Sequence, residues 1–384
     1  MTKWTSHVHR RAHRVGGLAL LLATIGAIAG CRNAPAPTPT PREVVETVFL
    51  IGDAGEPDPR LPATVLDSLA AQAAAVGPRA TILFLGDNIY PAGTAPEIAT
   101  NYADVLRRLD AQIRTVPSGA TGIFVPGNHD WADGGQGGFF GAATAADGLY
   151  IIRRQSALIP LRPKNPGATV MMLPQGGCPG PAVVDRERFR LVLLDSQWWL
   201  HNYIVRDSVS DDRATGCTTH TVGEVTQAIR DSLRTTRPGQ AVIVAAHHPL
   251  MTGGPHGGYC GAFALFRRWA NTSQDLFGKN YTMMRDSVNS ALATRPPLIA
   301  AAGHDHSLQV LHGRTSSYVL VSGAGSIGKG ECAARLRQSV YVGQATSGFM
   351  RLDFVAGDSV LLRVYRYDAH VQGEVYSHWL RHRR

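Results

Sequence analysis

Six short, unbroken apolar runs constrain the fold of this chain more than any other feature of its sequence. They are ETVFLIGD (46–53), ATILFLGD (80–87), TGIFVPG (121–127), FRLVLLDS (189–196), AVIVAAHH (241–248) and LIAAAGH (298–304). Apolar runs without polar alternation favour strands that are buried on both faces, as in sheets covered by helices. Helical spacing at 61–76, 222–234 and 281–293 lies between some of these runs. The sequence therefore predicts an α/β fold.

The pattern changes after Leu308, where shorter apolar segments alternate with polar residues, as in SYVLVSG, GFMRLDF, SVLLRVYRY and GEVYSHWL. Such alternation is typical of antiparallel strands with one solvated face, so we expect the chain to finish with antiparallel strands. The stretches 131–185 and 201–220 are rich in Gly, Pro and Asp, and we expect long loops there.

Polar side chains follow five of the apolar runs at the point where each run ends. They are Asp53 in GDAG, Asp87 in GDNIY, Asn128 and His129 in GNHD, His247 in AAHHP, and His304 with His306 in GHDH. Because ligands collect beyond the carboxyl ends of strands in α/β sheets, we expect these side chains to converge. Carboxylate, imidazole and amide donors suit iron, zinc or manganese. A single carboxylate can also bridge two ions, as in two-metal hydrolases.

The motifs GDAG, GDNIY, GNHD, VAAH and GHDH, in this order, resemble those of the calcineurin-like metallophosphoesterase superfamily. The tyrosine of GDNIY narrows the resemblance to the purple acid phosphatases, and the chain is similar to their small, tartrate-resistant type over residues 46–380. The resemblance implies a single four-layer α/β/β/α sandwich, in which two mixed β-sheets pack face to face and are flanked by helices.

The resemblance also implies two metal ions and an acid phosphatase-like reaction. A metal-bound hydroxide would attack the phosphorus of a phosphate monoester in line. The implied ligands are Asp53, Asp87, Tyr90 and His306 for Fe(III), and Asp87, Asn128, His247 and His304 for a divalent ion (Fe, Zn or Mn). Asp87 would then bridge the two ions, and a tyrosinate on ferric iron would give the purple colour of the family.

Two histidines outside this ligand set resemble the proton donors of the family. They are His129 in GNHD and His256, which lies nine residues after the histidine that would bind metal in AAHHP. Imidazole can protonate a leaving alkoxide near neutral pH. We expect Asp130 to orient His129. His248, the second histidine of AAHHP, is expected on the substrate side or on the surface.

The N-terminus has the composition of an export signal. Four cations within the first 14 residues precede an uncharged apolar run, 15–30, that ends in Ile-Ala-Gly before Cys31. This end resembles the bacterial lipobox, so we expect a cleaved signal peptide over 1–30 and lipidation of Cys31. A plain secretory signal or an anchor helix stays an alternative, although the run is short for a spanning helix.

A Pro-rich linker follows the signal and precedes the catalytic domain. We assign 31–43 to the lipidated Cys and the linker, because APAPTPTPR favours an extended tether. We assign 44–384 to the catalytic domain, which we expect to be one domain because the chemical residues span 53 to 306. The expected location is the bacterial cell envelope, with the protein anchored to a membrane by lipid.

Charge and cysteine content limit the class of partner. The formal charge of +9 falls to +5 when the four N-terminal cations leave with the signal, which is too small an excess to indicate nucleic acid binding. Four further cysteines suit an oxidising compartment and allow three pairings. We expect the nearest-neighbour pairs, Cys178–Cys217 and Cys260–Cys332, and a monomer that acts on small phosphate esters.

Two other functions are compatible with the sequence. The first is a phosphodiesterase or nucleotidase on the same dimetal site, because pocket depth decides this and the sequence does not show it. The second is a lipoprotein that binds metal or phosphate without turnover. The candidate proton donors argue against the second, because a binder has no need of a leaving-group acid.

Overall fold

The computed structural model describes residues 43–57, 64–94, 102–132, 145–201, 216–261, 264–270, 272–326, 330–356, 359–368 and 371–382. The signal peptide, Cys31 and the tether therefore lie outside the described residues and stay predictions. All described residues belong to one of the two units into which the chain divides, the unit 35–384. None of the helices within these described ranges is long and apolar enough to cross a membrane.

Seven strands form the first sheet. They are β1 (Val44–Ile51), β2 (Ala80–Phe84), β3 (Thr121–Phe124), β4 (Thr169–Met172), β12 (Gly348–Val355), β13 (Ser359–Tyr367) and β14 (Gln372–Leu380). Their order is β14-β13-β12-β1-β2-β3-β4. Strands β1 to β4 are parallel, whereas β12, β13 and β14 join them through antiparallel pairs. The prediction of a long loop over 131–185 is wrong, because this stretch contains β4, a helix (Ala145–Leu158) and a strand of the second sheet (Ala182–Asp185).

Seven strands also form the second sheet. They are β5 (Ala182–Asp185), β6 (Phe189–Leu193), β7 (Ala241–Ala245), β8 (Ile299–Ala302), β9 (Leu308–His312), β10 (Tyr318–Ser322) and β11 (Ser339–Gly343). Their order is β11-β9-β10-β8-β7-β6-β5. The expected antiparallel finish holds for every strand after β8 except β10, which pairs in parallel with β8. The reason is the tight turn after β9, which returns the chain alongside β8.

Helices cover the outer faces of the two sheets. They are α1 (Val65–Val76), α2 (Tyr102–Ile113), α3 (Ala145–Leu158), α4 (Ser196–Leu200), α5 (Val222–Arg234) and α7 (Lys279–Leu292). A further helix, α6 (Ala264–Ala270), lies in the segment between β7 and α7. Thr64 and Thr221 begin α1 and α5 with capping boxes, in which the threonine and an acidic residue three positions later satisfy each other's backbone N–H groups. Helix α1 therefore begins at Val65, whereas the apolar spacing predicted a start at residue 61.

Side chains alternate along the buried strands between two cores. In β1, Val48 and Leu50 face the second sheet and belong to the core between the sheets. Phe49 and Ile51 point the other way and pack with α1, α2 and α3. A third core joins β6 and β7 to α5 and α7. Burial on both faces explains the unbroken apolar runs, and the predicted four-layer α/β/β/α sandwich is confirmed.

Two disulfides link loops of the sandwich, and they have the predicted pairing. Cys178 is bonded to Cys217, and Cys260 to Cys332. The second bond ties the segment after β7 to the segment after β10. It therefore fixes a loop that lies beyond the carboxyl end of a central strand.

Candidate metal centre

The candidate site is built where parallel strands of both sheets end at the same edge of the sandwich. Asp53, Asp87 and Asn128 follow β1, β2 and β3 of the first sheet. His247 and His304 follow β7 and β8 of the second sheet. The hydrogen bond from Gly52 N–H to the Ser322 carbonyl (2.7 Å) joins the two sheets at this edge, and that from Gly303 N–H to the His247 carbonyl (3.0 Å) joins the segments after β8 and β7.

The backbone is strained at three of these residues. Asp53, Asp87 and His304 have φ angles of 58°, 54° and 69°, in the left-handed region that side chains rarely adopt. Such strain costs roughly 1–3 kcal/mol per residue and persists mainly at functional sites. Close packing adds a second constraint, because a Cβ on Gly127 would lie 2.3 Å from Asp87 Oδ1 and one on Gly86 would lie 2.5 Å from His247 Nδ1.

Four of the predicted ligands form the first donor group. Tyr90 Oη lies 3.1 Å from Asp53 Oδ1, 3.2 Å from Asp87 Oδ2 and 3.2 Å from His306 Nε2. His306 Nε2 also lies 3.4 Å from Asp53 Oδ1. One nitrogen and three oxygens therefore converge on a single buried spot.

The second donor group contains the other three predicted ligands and shares Asp87. His247 Nε2 lies 3.4 Å from Asp87 Oδ2, 3.0 Å from Asn128 Oδ1 and 3.3 Å from His304 Nδ1. The remaining ring nitrogens have carbonyl partners, since His247 Nδ1 lies 2.8 Å from the Leu85 oxygen and His304 Nε2 lies 2.9 Å from the Gln274 oxygen. Hydrogen bonds of this kind orient histidines that bind metals.

Opposing effects of burial and charge set the protonation of the metal-free donors. Burial lowers the pKa of His247, but the charge and hydrogen bond of Asp87 outweigh it and raise that pKa to about 9. Burial likewise lowers the pKa of His306, and Asp53 outweighs it and raises the pKa to about 9. Burial and the two carboxylates raise the pKa of Tyr90 well above its usual value. Without metal the centre is therefore a proton-bearing network of ion pairs.

Neighbouring histidines in turn lower the pKa of the Asp87 carboxyl. Burial raises its pKa, but the charges of His247 and His129 and the hydrogen bonds that both residues give it outweigh the burial. Its pKa is therefore held well below the usual range, and Asp87 stays ionised throughout the physiological range. An ionised carboxylate with both oxygens in use is a suitable bridge between two cations.

His248 is buried beside the histidines of the second donor group. The prediction that it lies on the substrate side or on the surface is therefore wrong. The side chain is 1% exposed. Its Nδ1 lies 2.8 Å from Ser196 Oγ and its Nε2 lies 2.8 Å from Gln274 Oε1. A nitrogen of His248 lies within 4.8 Å of those of His247 and His304. Since both ring nitrogens of His248 already have hydrogen bonds, we infer that His248 positions the neighbouring ligands His247 and His304 and does not bind metal itself.

His129 contacts the bridging carboxylate and the tyrosine. Its backbone N–H donates to Asp87 Oδ1 (2.9 Å), and its ring lies over that of Tyr90 with centroids 4.4 Å apart. Its Nδ1 lies 2.6 Å from the Pro91 carbonyl oxygen, and its side chain is 28% exposed. The Pro91 carbonyl therefore orients the His129 ring, a role that we predicted for Asp130.

Asp130 instead holds the loop that carries Asp87. It accepts hydrogen bonds from Asn88 N (3.0 Å) and Asn88 Nδ2 (2.8 Å), from Gly127 N (2.8 Å) and from Gln155 Nε2 (2.7 Å). Burial and the charge of Asp87 raise its pKa to about 6. These contacts join the loop after β2 to the loop after β3, so Asp130 fixes the distance between Asp87 and Asn128.

His256 lies against the second donor group. Its ring centroid is 3.9 Å from that of His304, and its side chain is 19% exposed. Its Nδ1 lies 2.8 Å from Asp275 Oδ1, and its backbone N–H donates to Asp305 Oδ1 (3.1 Å). Neither carboxylate was predicted from the sequence to belong to the site. Asp305 lies inside the GHDH motif and could have been found there, whereas no motif surrounds Asp275.

The donors that the structure brings together fit a pair of metal ions. Carboxylate, phenol and imidazole in the first group suit a small, highly charged cation such as Fe(III). Carboxylate, amide oxygen and two imidazoles in the second suit a divalent ion such as zinc, manganese or iron. Asp87 belongs to both donor groups. The close approach of Gly127 to Asp87 and of Gly86 to His247 holds the two groups on either side of this one carboxylate.

Comparison with known proteins extends the fold assignment. No protein-family model matches the chain, and no curated protein matches its sequence. The chain is similar to the solved purple acid phosphatase PPD1 from yellow lupin (Lupinus luteus) seeds, with a TM-score of 0.55 and 15% identity over 88% of this chain and 55% of that one. It is also similar to GAP50, the anchor in the inner membrane complex of Plasmodium, with a TM-score of 0.50 and 12% identity over 88% of this chain and 89% of that one.

These likenesses concern architecture. The chain spans about half the length of the lupin protein. At identities of 12% and 15% the matches show a shared fold and no more. The chain therefore shares the architecture of an α/β/β/α sandwich with these two proteins, and its function depends on its own residues.

Proposed function

We propose that this protein is a metal-dependent phosphoric ester hydrolase that acts on phosphate monoesters. One observation carries the proposal. Asp87 Oδ2 lies 3.2 Å from Tyr90 Oη and 3.4 Å from His247 Nε2, so a single carboxylate belongs to two donor groups. This arrangement suits two cations bridged by one residue, which is the arrangement of two-metal phosphoesterases.

The ligands in this proposal are the residues of the two donor groups. Asp53, Asp87, Tyr90 and His306 hold Fe(III), and Asp87, Asn128, His247 and His304 hold a divalent ion (Fe, Zn or Mn). When bound, such a pair neutralises phosphate charge and lowers the pKa of the water that serves as nucleophile. Leu85 and Gln274 keep His247 and His304 in the orientation and tautomer that present the other nitrogen.

The leaving group receives its proton from His256 or His129 in this account. Asp275 Oδ1 accepts the Nδ1 proton of His256, so Nε2 is the atom that can donate to the leaving oxygen. Both imidazoles are partly exposed, at 19% and 28%, whereas the bridging carboxylate is 3% exposed. A substrate can therefore meet the proton donors from the solvent side of the centre.

Paired ester substrates test the proposed reaction. With the metal-loaded protein we expect kcat/KM for p-nitrophenyl phosphate to exceed that for bis(p-nitrophenyl) phosphate at least tenfold. A preference for the diester would assign a phosphodiesterase instead. Bound metal with no hydrolysis of either ester would assign a protein that captures metal or phosphate without turnover.

Replacement of Tyr90 by phenylalanine tests the iron assignment. We expect the purified iron protein to have a visible absorption band from phenolate-to-iron charge transfer, and Tyr90→Phe to abolish it. Tyr281→Phe is the matched control, because Tyr281 is equally buried and gives its hydroxyl proton to the Pro249 carbonyl (2.7 Å). A colourless zinc or manganese protein with full activity would contradict the assignment.

Replacement of His256 by asparagine tests the identity of the proton donor. Positioned general acids contribute about 10²- to 10⁴-fold, and only where the leaving group needs a proton. We therefore expect His256→Asn to lower kcat for an alkyl phosphate about 100-fold, and that for p-nitrophenyl phosphate less than tenfold. Equal losses on both esters would exclude His256 as the acid and leave His129. His312→Asn, outside the centre, should change neither rate.

We also propose that the protein is exported and held at a bacterial membrane by lipid on Cys31. The signal-like N-terminus and the tether support this, and the two disulfides suit an oxidising compartment. The intact mass of the mature protein is the test. We expect a chain that begins at an acylated Cys31, and an unmodified cysteine would contradict the proposal.

A further inference from the structure

Helix α6 exposes the side chains that a surface helix normally buries. Leu265, Phe266 and Trp269 are 78%, 67% and 90% exposed. Leu265 and Trp269 are four residues apart and Phe266 and Trp269 are three apart, so Trp269 is the neighbour of both on the helix surface and the three form a continuous apolar surface. In globular proteins the apolar stripe of a surface helix faces the core.

Two arginines attach α6 to the rest of the protein. Arg268 Nε donates to the Gly258 carbonyl (2.9 Å), and its guanidinium lies 4.5 Å from the centroid of the Tyr259 ring. Arg267 Nη1 lies 3.5 Å from Asp275 Oδ1. The disulfide at Cys260 fixes the segment that leads into the helix. The polar attachment therefore holds the apolar face outward.

The exposed surface continues beyond the helix and borders the metal centre. Tyr259 and Phe277 are 45% and 41% exposed and lie on either side of Arg268. With Leu265, Phe266 and Trp269 they form what we call the α6 patch, which contains five of the nine exposed large hydrophobic side chains among the described residues. The backbone N–H of Leu276, the residue before Phe277, donates to the His256 carbonyl (2.9 Å), so the patch adjoins a candidate proton donor.

We propose that the α6 patch inserts into the interfacial layer of a lipid bilayer, and that the protein hydrolyses phosphate esters carried by lipids. Trp, Tyr, Phe and Leu beside arginine are the side chains that settle at this interface. A helix of seven residues is too short to span a bilayer, so the α6 patch can enter only the interfacial layer. Arginines beside the patch suit anionic head groups. The substrate class rests on the proposed function, whereas the docking surface does not.

The predicted lipid anchor supports this choice of partner. A protein that is lipidated at Cys31 is held beside a bilayer, so the α6 patch meets the lipid surface at a high local concentration. The lipid anchor and the docked patch together hold the protein more stably than either attachment alone.

Fluorescence of Trp269 tests the docking surface. The mature lipidated protein is placed in phosphatidylcholine–phosphatidylglycerol vesicles with brominated acyl chains, and the difference between wild type and Trp269→Phe isolates the signal of Trp269. We expect at least twofold quenching by the brominated lipid and protection from aqueous iodide. If iodide quenches Trp269 equally with and without vesicles, the proposal is overturned. Protection without vesicles would also overturn it, since it would indicate a protein contact such as a second copy.

Leu161 provides a matched control position. It is 78% exposed, as Leu265 is, and lies outside the α6 patch. With Leu161→Trp in the Trp269→Phe background, we expect the new fluorescence to remain accessible to iodide and unquenched by brominated lipid. Quenching at both positions would show non-specific association and overturn the assignment of the α6 patch.

Rates on a lipid and a soluble ester test the substrate class. We expect Leu265→Ser, Phe266→Ser and Trp269→Ser together to lower hydrolysis of phosphatidic acid in vesicles at least tenfold and of p-nitrophenyl phosphate less than twofold. Leu161→Ser should change neither rate. Equal rates of wild type and triple variant on phosphatidic acid would overturn the substrate class. If wild type hydrolyses neither ester while Trp269 is quenched, the proposed function fails and the docking surface stands.

Discussion

Asp87→Asn is expected to reduce kcat/KM about 10⁴-fold or more and to remove both metal ions. An amide has no negative charge and cannot bridge two cations as a carboxylate does. The loss corresponds to about 5 kcal/mol or more of transition-state stabilisation at 1.36 kcal/mol for each factor of ten. Metal analysis of the purified variant, alongside its rate on p-nitrophenyl phosphate, measures both effects.

Asp195→Asn is the matched control for Asp87→Asn. Asp195 is fully buried near the centre but accepts hydrogen bonds from Trp131 Nε1 (2.9 Å) and Trp198 N (3.2 Å). Burial raises its pKa to about 7, so the amide resembles its neutral form. We expect this variant to keep both metals. An Asp87→Asn protein with two metals and wild-type activity would contradict the bridging role.

Acidification is expected to weaken metal binding by up to about 1,000-fold for each pH unit below 9. His247 and His306 have pKa values of about 9 without metal, and each loses its proton when it becomes a ligand. Tyr90, whose pKa is raised well above its usual value, loses a third proton when it binds as phenolate, so the slope of the logarithm of the affinity against pH is about three. Chelator competition with Zn²⁺ between pH 6 and 9 measures this slope, and His306→Asn should reduce it to about two.

Stability of the metal-free protein should have the opposite dependence on pH. A histidine whose pKa is raised from about 6.5 to about 9 by folding adds stability below pH 6.5, and that stability is lost as the pH rises through 9. We therefore expect Tm of the metal-free protein to fall from pH 6.5 to 9, while the metal-loaded protein keeps its Tm. Metal affinity that does not change with pH would contradict the protonated network.

The central strands could be predicted because their environment is simple. Strands buried on both faces need consecutive apolar side chains, and 48–51 of β1, 82–84 of β2 and the whole of β7 show this directly. Strands β4 and β5 are four residues long and lie among Gly and Pro residues, so their pattern was too short to detect. In α2, charged residues between Val105, Leu109 and Ile113 hid an apolar stripe at every fourth position.

The site residues that directly follow strands could be predicted from the sequence. Those that come from a distant loop packed against the site could not. Asp53, Asp87 and His304 stand directly after apolar runs, so the topology brings them together. Gln274 and Asp275 come from a loop without a motif and meet the site only through tertiary packing. For α6, periodicity indicates which side is apolar, but it does not indicate which side faces the protein.

Anomalous X-ray diffraction from crystals of the metal-loaded protein tests the central claim most directly. The account predicts two anomalous peaks about 3.5 Å apart, with one oxygen or both oxygens of Asp87 within bonding distance of each. Tyr90 and His306 should lie beside one peak, and His247 and His304 beside the other. A single peak, or two peaks neither of which contacts Asp87, would contradict it.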